Sequence, residues 1–285
     1  MVKALFFLLV LFTTIFADEN NETIYEPIED SLTQKIKSFL SYNKYERNKK
    51  FIEIIFSPKT DFYKNDSVNV VKVVQTLKEN GLLKLFFNNP QELHLHFKTF
   101  GSPLFFVKLM RESLRNIGYY RYITTDANFN GLEFTWSVSV VSEYATDPLI
   151  LQKELHKVGC EIADIEQVSS TEWNYVIDMI DSFLNVPILE ESQELKLKRS
   201  MYAHWLNVSK IKKLVILSSR RNNWYPYISY YDSSLKLIEV IKRDKRIKKI
   251  TLHIPEFTKY IKVSDIYTLK NLKEDLTLYP KMKRF

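Results

Sequence analysis

The chain has 285 residues, 45% of them hydrophobic and 14% aromatic, which suffices for packed cores and for two domains. It carries a formal net charge of +7 with one cysteine and five glycines. The lone cysteine excludes an intramolecular disulfide, and neither a Walker A loop nor a dinucleotide-binding glycine fingerprint is present, so nucleotide enzymes of those types are excluded.

The first segment reads as a secretory leader. Lys3 supplies a positive start, Ala4 to Phe12 an apolar core, and Ile15-Phe16-Ala17 ends on the small residue that cleavage needs. The apolar run is shorter than the roughly 20 residues of a membrane span. A signal peptide over residues 1–17 is therefore expected, with a mature start near Asp18, a periplasmic location and no integral membrane segment after cleavage.

Directly after it, Glu19-Asn20-Asn21-Glu22-Thr23 forms an Asn-x-Thr acceptor at Asn21 with an acid two places before the Asn. This extended pattern resembles the acceptor of the Campylobacter-type bacterial N-glycosylation system. The resemblance implies an exported envelope protein glycosylated at Asn21. Asn65 and Asn207 begin Asn-x-Ser sites without the upstream acid.

Residues 18–90 read as a mostly helical N-terminal region. Three helical patterns end at glycines: "VVQTLKENG" at Gly81, "LMRESLRNIG" at Gly118 and "LQKELHKVG" at Gly159. A glycine there suits the left-handed residue that closes a helix. Asn130-Gly131 in "NFNGLEF" signals a hairpin turn, and Gly101 with Pro103 marks another turn. Asp147-Pro148 is a capping residue followed by a first-turn proline.

With "ELHLHFKTF" as the opening strand, residues 91–186 read β-α-β-β-α-β-β, close to a ferredoxin-like plan. The layout resembles the small α+β modules of bacterial envelope proteins, POTRA-type domains among them. No motif matches residue by residue, so the resemblance carries no site. In "VGCEIADI", Cys160 reads as a buried free thiol. His94 and His96 share a strand face with Glu92 and Lys98, which the polar side of a half-buried strand explains without a metal. "EIADIEQ" and "IDMIDSF" (with Asp178 and Asp181) are the acids that an envelope hydrolase with a dispersed site would draw on. No nucleophile elbow or His-Glu-x-x-His motif accompanies them.

Charge then changes sign. Residues 1–195 hold 19 Lys/Arg against 27 Asp/Glu, a balance of −8; residues 196–285 hold 22 against 7, a balance of +15. The turnover lies in "PILEESQELKLKRS", read as a linker over residues 187–200. Beyond it, residues 201–285 show seven short strand patterns, from "MYAHWLNVS" to "DLTLYP", as a β-sandwich or jelly roll does. Only "SDIYTLKNLKED" breaks them, as a short helix or loop. The fold class expected is α+β: ferredoxin-like modules, then an all-β sandwich.

Two stretches of the sandwich are candidates for binding. "SSRRNNWYPYISYYD" combines Arg220 and Arg221 with Trp224, Tyr225 and Tyr227, since aromatic faces with polar tips anchor interfaces or stack on sugars. "IKRDKRIKK" places Lys242, Arg243, Lys245 and Arg246 in one anion-attracting run. The leading expectation is a non-catalytic periplasmic binding or scaffold protein of an envelope assembly. Its partner would be an acidic protein or an anionic glycan, with no cofactor and no nucleic acid. The alternative makes the sandwich a carbohydrate-binding module.

Overall fold

A computed structural model describes residues 29–282. The leader (1–17) and Asn21 lie outside the described residues.

Side-chain caps start three of the five described α-helices. Asp30 caps α1 (Ser31–Ser38), its carboxylate accepting from the Thr33 N–H at 3.0 Å. Lys59 donates to the other oxygen at 2.7 Å, and this bond chiefly holds the carboxyl down at about 2. Helix α2 (Tyr42–Ile55) follows, then a small hairpin of β1 (Tyr63–Lys64) and β2 (Ser67–Val68). It turns through Asn65 and Asp66, both with positive φ. Asn69 caps α3 (Val70–Glu79), whose Val70, Val71, Val73, Val74 and Leu77 are buried.

The seven elements expected next appear in the expected order. They are β3 (Phe86–Thr99), α4 (Pro103–Asn116), β4 (Ile123–Phe129), β5 (Phe134–Tyr144), α5 (Pro148–His156), β6 (Glu161–Ser169) and β7 (Glu172–Asp178). Asp147 caps α5 and Pro148 opens it, as the sequence suggests. The strands form one sheet in the order β4-β5-β3-β7-β6, antiparallel except for the central β3–β7 pair.

Strand β3 buries Leu93, Leu95 and Phe97 completely and turns His94, His96 and Lys98 to the other side. There His96 Nδ1 lies 2.8 Å from Ser137 Oγ, and its Nε2 lies 3.3 Å from Glu172. The apolar side packs with the buried stripes of the helices in one cluster that runs from Leu32 to Leu184 and takes in Leu235 and Tyr260 from further along the chain. The division expected at residue 90 falls inside this cluster. The reason is simple: α1 and α3 each have one apolar stripe, and the sheet offers it a dry face.

The remaining strands build two four-stranded antiparallel sheets facing one another. They are β8 (Leu195–Leu197), β9 (His204–Asn207), β10 (Ile211–Ser218), β11 (Pro226–Tyr231), β12 (Leu237–Lys242), β13 (Lys249–His253), β14 (Tyr260–Asp265) and β15 (Leu276–Met282). One sheet runs β13-β10-β15-β8 and the other β12-β11-β14-β9. Alternating residues such as Leu214, Ile216, Ile228, Val263 and Leu278 fill the space between them. The chain is thus α+β, with a sandwich-like C-terminal part.

The segment 187–200 departs from its reading as a linker. Leu195 to Leu197 pair with β15, Leu189 and Leu197 are buried, and Ile188 bridges to Asn207. Three spaced leucines among acids were enough to bind it to the sandwich. The two cores also touch: the Leu184 N–H donates to the Tyr260 hydroxyl at 3.1 Å, and the Lys108 ammonium of α4 sits 5.2 Å from the Trp205 ring centre.

Gly159 shows how closely the pieces fit. Its φ is +70°, and a Cβ there would lie 2.1 Å from the Asp181 carbonyl oxygen; Gly81, at φ +71°, has open space around it. Gly81→Ala should therefore lose about 1–2 kcal/mol, the intrinsic left-handed penalty, and Gly159→Ala clearly more, read as the difference in urea midpoints. Beside it, burial pushes the Cys160 thiol up to about 12, with Asp178 adding to the effect. Native protein at pH 8 should leave Cys160 unmodified by a disulfide reagent, and denatured protein should react at once.

Candidate functional site

The sandwich has one end where three loops meet. The first joins β10 to β11 and carries Arg220 and Arg221; the second joins β12 to β13 and carries Arg243, Lys245 and Arg246. The sequence separates these two runs by about twenty residues, and the fold lays one on the other. Lys248 holds them together. Its ammonium donates to the carbonyls of Ser219 (2.9 Å), Arg220 (2.8 Å) and Asn222 (2.7 Å). Desolvation lowers the Lys248 pKa, and the charge of Arg246 lowers it further. Arg246 Nη2 donates to the Arg220 carbonyl at 2.8 Å, and the Ile247 N–H to that of Trp224 at 3.0 Å.

The third loop, between β14 and β15, is fastened by two buried polar side chains. Asn222 accepts from the Lys273 and Glu274 N–H groups, each at 2.8 Å, and donates to the Glu274 carbonyl at 3.0 Å. Asp265 accepts from the N–H groups of Tyr225 (2.8 Å), Tyr267 (2.9 Å) and Thr268 (3.0 Å), and from the Asn271 amide at 3.0 Å. Arg221 pairs with Glu274 at 3.0 Å. Backbone donors and acceptors that loops usually leave to water are thus satisfied internally. The outcome is a stiff platform with Arg220, Arg243, Lys245, Arg246, Lys270 and Lys273 exposed on it.

The aromatic part of the candidate set behaves differently. Trp224 is 0% exposed and its indole N–H donates to the Ser264 carbonyl at 2.9 Å. It is a core residue and offers no ring to a ligand, which corrects its reading as a stacking residue. Its position was legible in the alternation it shares with Ile228 and Tyr230, both fully buried. Tyr225 keeps a partly exposed edge against Tyr267, with ring centres 5.0 Å apart. Tyr227 lies on β11 opposite the exposed Lys242. The basic candidates converge; the aromatic ones mostly do not.

Asn222, Lys248 and Asp265, which make the platform, were not identifiable from the sequence. Each looks like an ordinary loop or strand-end polar residue, and only tertiary contact reveals its partners. Among the described residues no three His, Cys, Asp or Glu side chains converge to hold a metal ion, and no helix is long and apolar enough to cross a membrane.

No protein-family model matches the chain, and no curated protein matches it. Among solved structures, one similar chain comes from the accessory secretory protein 1, 2 and 3 structure of Streptococcus pneumoniae. It shares 15% identity over 34% of this chain and 76% of that one, with a TM-score of 0.20. A superposition this loose carries no functional argument.

Asn222→Ala leaves two N–H groups and a carbonyl without their partner at a buried position. A loss of about 2–4 kcal/mol is expected from these unmet bonds. Hydrogen exchange at Lys273 and Glu274 should rise with it, and Arg221→Ala, which removes only an exposed ion pair, should change stability by less than about 1 kcal/mol.

Proposed function

We propose that this chain is a non-catalytic binding protein of an envelope-associated assembly, exported to the periplasm, which holds an acidic protein partner on the basic platform. One observation carries the reading: three loops fastened through Lys248, Asn222 and Asp265 present Arg220, Arg243, Lys245 and Arg246 together at one end of the sandwich. Loops already ordered lose little entropy when a partner docks. Clustered positive charge on a domain of +15 speeds encounter with an acidic surface and orients it. The leader and the Asn21 acceptor support export and glycosylation in the same reading.

A sugar-stacking role for the sandwich loses its anchor with Trp224 in the core.

Photo-cross-linking from position 243 of the full chain in the native envelope tests the reading. A discrete protein adduct should form and should be lost with the double variant Arg220→Glu/Lys245→Glu, whose side chains take no part in fastening the loops. Raising salt from about 0.1 to 1 M, which shortens the screening length from about 10 to 3 Å, should also suppress it. An adduct indifferent to both changes would sink the charge-steered mechanism.

A further inference from the structure

A second surface is lined, apart from Tyr202, by residues of the acidic part of the chain. An open groove of about 1030 Å³ runs between α4 and the β4–β5 hairpin, and Tyr202, which precedes β9, contributes to its wall. Its floor is the nearly buried ring of Trp136, whose indole N–H donates to Thr124 Oγ1 at 3.3 Å. Tyr122 stands edge-on to this ring, with centres 5.7 Å apart at 79°. The Arg111 guanidinium faces the Tyr122 hydroxyl, and Arg115 is one helical turn further on.

Three properties of the groove point to a ligand. Tyr120 and Tyr202 are 75% and 76% exposed, so two aromatic faces stand in water at its sides. Arg111 and Arg115 have no acidic partner among the described residues, whereas neighbouring Lys108 pairs with Glu112 at 2.7 Å. These guanidiniums, neither of them paired with a carboxylate, belong to a stretch (residues 29–195) with 18 Lys/Arg against 23 Asp/Glu, a balance of −5. Long-range charge there repels polyanions in general, so an anion that binds must also make close contacts. Rings supply contact with sugar faces, and guanidinium forks match carboxylates in pairs.

A peptide fits less well. Strand β4 is the sheet edge beside the groove, but its register with β5 breaks between Thr124 and Asp126. Such a bulge twists an edge away from regular pairing.

We propose that this groove binds an anionic oligosaccharide, with Tyr120 and Tyr202 stacking on sugar rings and Arg111 and Arg115 taking its carboxylates. Its four ligand-binding side chains are not among those of the platform, so either proposal can fail without the other.

Calorimetric titration of the full chain with hexagalacturonate, neutral chitohexaose and hexaglutamate tests it. Hexagalacturonate should bind more tightly than the other two. Tyr120→Ala/Tyr202→Ala and Arg111→Gln/Arg115→Gln should each weaken it at least about tenfold, a change of roughly 1.4 kcal/mol. All four side chains are exposed, and circular dichroism checks that the fold survives. The platform variant Arg220→Glu/Lys245→Glu should bind as the parent does. Absence of binding overturns the proposal, as does loss only in the platform variant. Hexaglutamate binding as tightly, unaffected by the tyrosine pair, would make the groove a charge or peptide site and overturn it equally. Chitohexaose binding as tightly, unaffected by the arginine pair, would overturn the anionic specificity.

Discussion

Strand β3 turns Leu93, Leu95 and Phe97 into a dry layer and His94, His96 and Lys98 away from it, and this one-sided burial organises the first half of the molecule. The chain has a single cysteine, itself buried and free, so no disulfide shares the task. Each fully buried large apolar side chain contributes roughly 1.5–3 kcal/mol over its exposed state, and the cluster from Leu32 to Leu184 gathers dozens of them. The helices need that face as much as the sheet needs the helices. The sandwich repeats the solution with two sheets in place of a sheet and helices, each drying the inner face of the other.

The sandwich keeps most of its buried polar side chains at or beyond the ends of its strands, with Ser229 inside β11 an exception. Asn222 and Asp265 lie almost inside the protein, yet every polar atom described for them has a backbone or side-chain partner. Burying such groups is unfavourable unless their bonds are complete. Once complete, they rigidify. The same bonds that stabilise the loops therefore fix where the arginines and lysines stand. A charged surface on stiff loops favours recognition in a way that the same charges on mobile loops do not.

Electrostatics differs between the two proposed sites. The +15 of residues 196–285 would draw an acidic partner to the platform from a distance, whereas the Arg111–Arg115 groove would rely on close contact. Strand alternation made much of this fold legible. Seven of the eight strands of the sandwich and the β-α-β-β-α-β-β order before it follow from period-two runs separated by glycine and polar turns, because a strand half-buried in a sheet must alternate. The helix ends at Gly81 and Gly118 follow from the rarity with which other residues adopt positive φ. Alternation also assigns Trp224 to the core, since it has the parity of Ile228 and Tyr230, although the chemistry of its ring suits ligand stacking. The paired strand β8 was hidden by the charges around Leu195 and Leu197.

By itself, then, the sequence determined the fold class, the order of elements from β3 to β7 and from β9 to β15, the split of charge and the basic character of the C-terminal surface, since all of these depend on local pattern and composition. Only the tertiary structure decided which charges stand together. Arg220 and Arg246 meet because β10–β11 and β12–β13 end side by side, and Lys248 finds three carbonyls that no spacing announces. Contacts between residues far apart in the chain are selected by the packing of whole sheets, and a linear pattern contains no record of which loop will face which.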